Sequence, residues 1–174
     1  IVLYGFKLTL NALFVMGPKA VAIDCIIVCG TLLLGNALGR WLKLDKDERL
    51  LISSGSAICG AAAVLATEPV LQAPKHKTVV AIATVVLFGT LSMFLYPLLY
   101  RMGLFHSFSA EAIGVYTGST IHEVAHVLGA GTAMTPEITA TATITKMIRV
   151  MMLAPVLLCL SVIVRSGDST AKGN

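Results

Sequence analysis

Apolar and polar positions alternate along this chain so as to mark six apolar stretches: Ile1 to Met16, Val21 to Leu38, Leu50 to Leu71, Thr78 to Leu99, Ala110 to Ala130 and Glu137 to Val164. A helix crosses a bilayer with about 20 largely apolar residues, so each stretch is read as a span, the first one shortened. Pro18, Pro74 and Pro136 stand at or just before helix starts, where proline's missing N–H costs nothing. Short polar clusters separate the remaining stretches. The pattern predicts an all-α, polytopic transmembrane bundle of about six helices forming one domain over residues 1–174.

The third stretch departs from a plain lipid-facing helix. Ser53-Ser54-Gly55-Ser56-Ala57-Ile58-Cys59-Gly60 puts small and polar residues where leucine would serve a simple span. One reading is tight packing on neighbouring helices through small side chains. The other is a broken helix whose freed N–H groups and hydroxyls face a cavity, as secondary transporters use to bind ions. A weak self-similarity links this segment to the fifth stretch, since Gly55, Ser56, Ile58, Ala62 and Val64 recur in register as Gly118, Ser119, Ile121, Ala125 and Val127. If every stretch crosses, both segments enter the membrane from the same side, unlike an inverted repeat.

Composition agrees with the membrane reading. The chain is 56% hydrophobic and 13% charged, with a mean hydropathy of +0.87, far from the balance of soluble domains. That leaves no room for a large soluble domain. A net charge of +4 raises nucleic acid as a partner, but the basic residues are scattered among loops and are better read as topology signals. Cys25, Cys29, Cys59 and Cys159 lie in apolar stretches without a CxxC pair, as packing thiols do. The chain opens in Ile1-Val2-Leu3-Tyr4 without an initiator methionine, from which a fragment of a longer protein is expected.

With six alternating spans, Arg40, Lys43, Lys46, Arg49, Arg101, Arg165 and Lys172 fall on one side, and Lys19, Lys75 and Lys77 on the other. The positive-inside rule makes the first side cytoplasmic. Lys7 is read as snorkelling to an interface. Asp24 is read as a first-turn residue favoured by the helix dipole, and Glu68 as the interfacial end of its helix.

Ionisable residues inside spans are costly, about 3 kcal/mol even on insertion scales, and are functional candidates for that reason. His122-Glu123-Val124-Ala125-His126 has the H-E-x-x-H form that sets two imidazoles on one helical face for zinc hydrolysis. A catalytic zinc needs a third protein ligand, and downstream the carboxylates are Glu137 and Asp168, at a helix start and in the tail. Asp24 and Glu68 would have to fold back, so an intramembrane zinc metalloprotease is the runner-up and no metal or cofactor is expected. The alternative is a cavity-lining stripe of Gly118, Ser119, His122, His126 and Gly129. In the last stretch Thr135, Thr139, Thr143 and Lys146 share a side, with Arg149 a turn further on. Lys146 and Arg149 are either neutralised by Glu123 or Glu68, or available to an anion.

These residues also carry a resemblance. Leu3-Tyr4-Gly5-Phe6-Lys7-Leu8-Thr9, Ser56 through Pro69, Leu87-Phe88-Gly89-Thr90, Tyr96-Pro97, Gly118 through Ala125 and Lys146 through Pro155 resemble, in order, the YeiH-type sulfate exporters, a group of bacterial inner-membrane proteins. The resemblance implies a middle portion of a protein about twice this length. It also implies an architecture similar to the bile-acid-symporter and NhaA-type folds, with inverted repeats and broken helices crossing near the midplane. Glutamine is frequent in that family at the position of His126, which weighs against zinc ligation.

The resulting expectation is an inner-membrane secondary transporter that exports or exchanges a small anion, sulfate or a related sulfonate, by alternating access. Ser53, Ser56, Gly60 and Ser119 would bind the substrate, Lys146 and Arg149 would offset its charge, and His122 and Glu123 would couple protons. Its partners would be the anion, the lipid bilayer and, in a homo-oligomer, further copies of itself. A purely structural membrane subunit is the remaining alternative.

Overall fold

The structure is a computed structural model that describes the backbone of residues 2–171 and the side chains of residues 22–162. The expectations placed on Lys7, Lys19, Arg165, Asp168 and Lys172 concern side chains outside the described residues, whereas Pro18, expected at a helix start, lies within a continuous helix. The described backbone is helical throughout its regular elements, as the apolar pattern requires. In order they are α1 (Val2–Trp41), α2 (Lys46–Ala57), α3 (Ala61–Leu71), α4 (Lys75–Arg101), α5 (Ala110–Thr120), α6 (Val124–Thr132), α7 (Pro136–Met151) and α8 (Leu153–Ala171). The first two apolar stretches, expected as separate spans, belong to the single helix α1.

Three segments are long and apolar enough to cross a membrane: Ala22–Trp41, Lys75–Arg101 and Pro136–Val162, the last running through α7 into α8. The third and fifth stretches do not cross. With 12 and 11 residues, α2 and α3 are each less than about 20 Å long at 1.5 Å per residue, too short for a hydrocarbon core of about 30 Å. They fold back on each other. Lys77 Nζ at the start of α4 lies 2.9 Å from Asp45 Oδ2 at the start of α2, so the chain enters and leaves on one face. The Lys77 ammonium holds the Asp45 carboxyl below the usual carboxylate range. Deeper in, Leu51 of α2, Val64 of α3 and Ala81 and Val85 of α4 share one apolar cluster. A Cβ on Gly55 would come within 2.6 Å of Val64 and 3.0 Å of Val85.

The second pair repeats this from the opposite face. Gly114 of α5 lies against Ile138 and Thr141 of α7, and Gly131 of α6 lies against Thr139. A straight helix would hold Gly114 and Gly131 about 25 Å apart. Both hairpins are re-entrant, α2–α3 from the Lys77 face and α5–α6 from the Arg101 face. Their breaks fall at matching positions of the self-similarity: α2 ends at Ala57 and α5 at Thr120, and α3 resumes at Ala61 and α6 at Val124. The similar segments are therefore inverted in the membrane. Small residues allow the close approaches, with Gly35 against Ser53, Gly39 against Arg49 and Gly118 against Thr145.

This arrangement corrects the topology expected from six alternating spans. Arg40, Lys43, Lys46, Arg49, Lys75 and Lys77 gather on one face, and among the described loops Arg101 lies on the other. The positive-inside rule then makes the Lys77 face cytoplasmic and puts the loop after Arg101 outside. The sequence misleads here because a hairpin of two half-depth helices has the same apolar length as one full span.

Candidate functional site

The two hairpin tips meet at mid-depth beside α7. In each tip the chain leaves one helix and starts another, so carbonyls at a helix C-terminus and N–H groups at a helix N-terminus lose their intrahelical partners. In the first tip Gly60 has φ +73° and ψ −132°, a backbone that L side chains rarely adopt, and a Cβ there would meet Glu123 Cγ at 2.6 Å. Glycine is required on both counts.

Charged side chains serve these ends according to their polarity. Lys146 Nζ donates to the carbonyls of Ile58 at 2.9 Å and Ile121 at 2.7 Å, the residues that follow α2 and α5. Arg149 Nε donates to the carbonyl of Ala57. Both cations are buried, and they lie where helix dipoles place partial negative charge. At the opposite polarity, Glu123 Oε1 accepts from the N–H of Ala61, the first residue of α3, at 3.4 Å. Among the described residues no carboxylate comes within 4.0 Å of Lys146 or Arg149. The ion pair with Glu123 or Glu68 weighed from the sequence is thus replaced by bonds to backbone carbonyls.

The other candidates are distributed around this centre. Ser56 is half-buried in the last turn of α2. Ser53 is buried against Gly35 of α1, outside the tip. Ser119 Oγ donates to Asp24 Oδ1 at 3.1 Å. Thr139 and Thr143 give their hydroxyls to carbonyls one turn back and line an open depression of about 550 Å³ with Thr132 and Pro136, while Lys146 points into the protein. His122 lies in the break itself, so the H-E-x-x-H residues do not share a helical face; α6 begins only at Val124. His126 is the imidazole nearer the carboxylate, with Nδ1 3.8 Å from Glu123 Oε2 and Nε2 3.4 Å from Thr90 Oγ1. Among the described residues no three His, Cys, Asp or Glu side chains group as metal ligands.

Sequence reasoning passed over Asp24. It lies fully buried beside the second tip, and its signal was the one applied to Lys146, an ionisable residue inside an apolar span. The helix-dipole reading diverted it, because α1 does not start near Val21.

Comparison with known proteins places the sequence in a family. The family model described as conserved hypothetical protein 698 matches residues 1–174. A UPF0324 membrane protein of Bacteroides thetaiotaomicron is 54% identical over 158 residues, covering 91% of this chain and 47% of the relative. The UPF0324 inner membrane protein YeiH of Escherichia coli O6:H1 is 48% identical over 174 residues, covering 99% and 50%. YeiH of Salmonella typhi is 50% identical over 162 residues, covering 92% and 46%. The chain spans about half the length of the curated relatives it matches. No solved structure matches it.

Proposed function

Because this chain belongs to the conserved hypothetical protein 698 family of bacterial inner-membrane proteins, we propose that it is the hairpin-bearing part of a secondary transporter for a small anion. Sulfate or a small sulfonate is the substrate class, moved by alternating access. What supports this reading is one observation: two inverted re-entrant hairpins meet tip to tip at membrane depth, joined through Lys146. Non-helical backbone at this depth is tolerated where it is enclosed by protein or lines a polar cavity, and paired helix breaks are where transporters bind ions.

The anion accepts hydrogen bonds from N–H groups at the starts of α3 and α6 and from Ser56, beside Gly60, whose missing Cβ lets Glu123 approach the tip. Lys146 and Arg149 offset its charge. Glu123, with His122 in the same break, gives up its bond to Ala61 and takes a proton when the anion occupies the α3 N-terminus. Labelled sulfate and sulfonate flux into liposomes holding the full-length protein, with and without a pH gradient, tests this. Protein-dependent flux that responds to the gradient is expected. A folded protein that moves neither class of anion would overturn the proposal.

A further inference from the structure

A second polar cluster lies across the hairpin tips from Glu123. Asp24 of α1 is 1% exposed. Its Oδ1 accepts from Ser119 Oγ at 3.1 Å, and its Oδ2 has no hydrogen-bond partner among the described residues. The charges that face it are Arg149 and Lys146 of α7, and Ser119 is the polar group facing it from α5. Cys59 of the first tip borders the same two cations. Arg149 is also buried, and while its Nε serves the Ala57 carbonyl, its Nη1 has no partner among the described residues. A carboxylate at membrane depth with one oxygen unsatisfied is expensive unless its charge is removed or matched. A metal cation is a poor match, because it would have to settle beside two fixed positive charges. A proton forms an O–H bond on the free Oδ2 and places no further ion.

We propose that Asp24 is a proton-carrying carboxyl linked to anion occupancy at the hairpin tips through the shared cations Lys146 and Arg149. Ionised, Asp24 draws on the positive potential of both. Protonated, it leaves that potential to the incoming anion, so the proton and the anion each raise the other's affinity, as reciprocal linkage requires. In this step one proton leaves bulk water for Oδ2, and it returns when the anion is released. The identity of the anion rests on the transport reading; the titration of Asp24 does not.

The test uses the full-length protein with Asp24→Asn and Ser119→Ala variants. Infrared difference spectra between low and high pH should show a protonated-carboxyl band that is lost in Asp24→Asn. In Ser119→Ala, which keeps the carboxyl but removes its hydrogen bond, the band should shift. Calorimetric sulfate binding should tighten on acidification by about tenfold per pH unit for each proton linked to the anion, Asp24 contributing one. In Asp24→Asn the dependence should fall by about tenfold per pH unit, leaving only what Glu123 contributes. A wild-type protein without the band, or an Asp24→Asn protein that keeps the wild-type slope, overturns the proposal. If wild type binds neither sulfate nor small sulfonates, the transport reading falls and the infrared arm still decides Asp24. If Asp24→Asn does not fold, an unshifted band in Ser119→Ala overturns the proposal and a shifted one supports it.

Discussion

Replacing Lys146 with methionine keeps most of the apolar stem and removes its ammonium. Lys146 is fully buried and holds the carbonyls of Ile58 and Ile121, so the substitution takes one hydrogen bond from each hairpin tip. Hydrogen bonds to a charged group contribute about 1.5–3 kcal/mol each, and leaving a buried acceptor unpaired adds its own penalty. Against this stands relief from burying a cation, which is itself several kcal/mol. The balance is a loss of about 3 kcal/mol. Thermal and denaturant unfolding of the full-length protein in detergent measures it. Lys146→Arg, which keeps the charge, should lose less. Removing Glu123 as well, through Glu123→Gln, should restore nothing, because the lysine is satisfied by carbonyls rather than by that carboxylate. A Lys146→Met protein as stable as wild type, or one rescued by Glu123→Gln, would refute the assignment of Lys146 as the link between the tips.

Cysteines introduced in the loop between Arg101 and Ser109 should react in intact cells with an impermeant thiol reagent, while those near Lys43 and Lys75 should not; protection of the first loop would reverse the topology. His126→Gln should lower stability by less than about 1 kcal/mol, since its contact to Thr90 is long at 3.4 Å, and metal analysis of the full-length protein should find no stoichiometric zinc. A tightly bound zinc lost in that variant would favour the metalloprotease class. Gly118→Ala should destabilise by about 1–3 kcal/mol, because its Cβ would press on the Ala142 carbonyl and lie 2.9 Å from Thr145; an unchanged melting temperature would contradict the packing of α5 on α7.

The membrane bundle was legible because apolar length and the rarity of charge report the solvent directly. The break at Gly60 was one of two readings of its serine- and glycine-rich segment, beside close helix packing, and the structure shows the break. Direction was not legible. Nothing in the composition of residues 50–71 separates one crossing helix from two half-depth helices, and Lys77 and Asp45 are ordinary loop residues until folding brings them together. The self-similarity around Gly55 and Gly118 coincides with both breaks, but the fifth stretch was read as one continuous helix, and alternating six spans gave the pair parallel sense; counting two hairpins makes it inverted. Asp24 was misplaced for a related reason, because the start of its helix was drawn near Val21 while α1 runs from Val2 to Trp41.

The two hairpins are docked by different means than those that join them to each other. The first packs α2 on α1 and α4 through Gly35, Gly39 and Gly55, and the second packs α5 and α6 on α7 through Gly114, Gly118 and Gly131. Such close apolar contacts are stiff, and changing them costs packing that nothing else replaces. At the tips the bonds are polar: Lys146 to both breaks, Arg149 to Ala57 and Glu123 to Ala61. Polar bonds of this kind are exchangeable, because an oxyanion can take over a donor from a carbonyl or carboxylate one for one. If the chain transports an anion as proposed, relative motion of the hairpins costs least where that anion compensates these bonds. On the transport proposal, binding and movement are coupled at the tips by the same few hydrogen bonds, and α7, which carries both cations, is expected to move with the second hairpin, to which its glycine contacts fasten it.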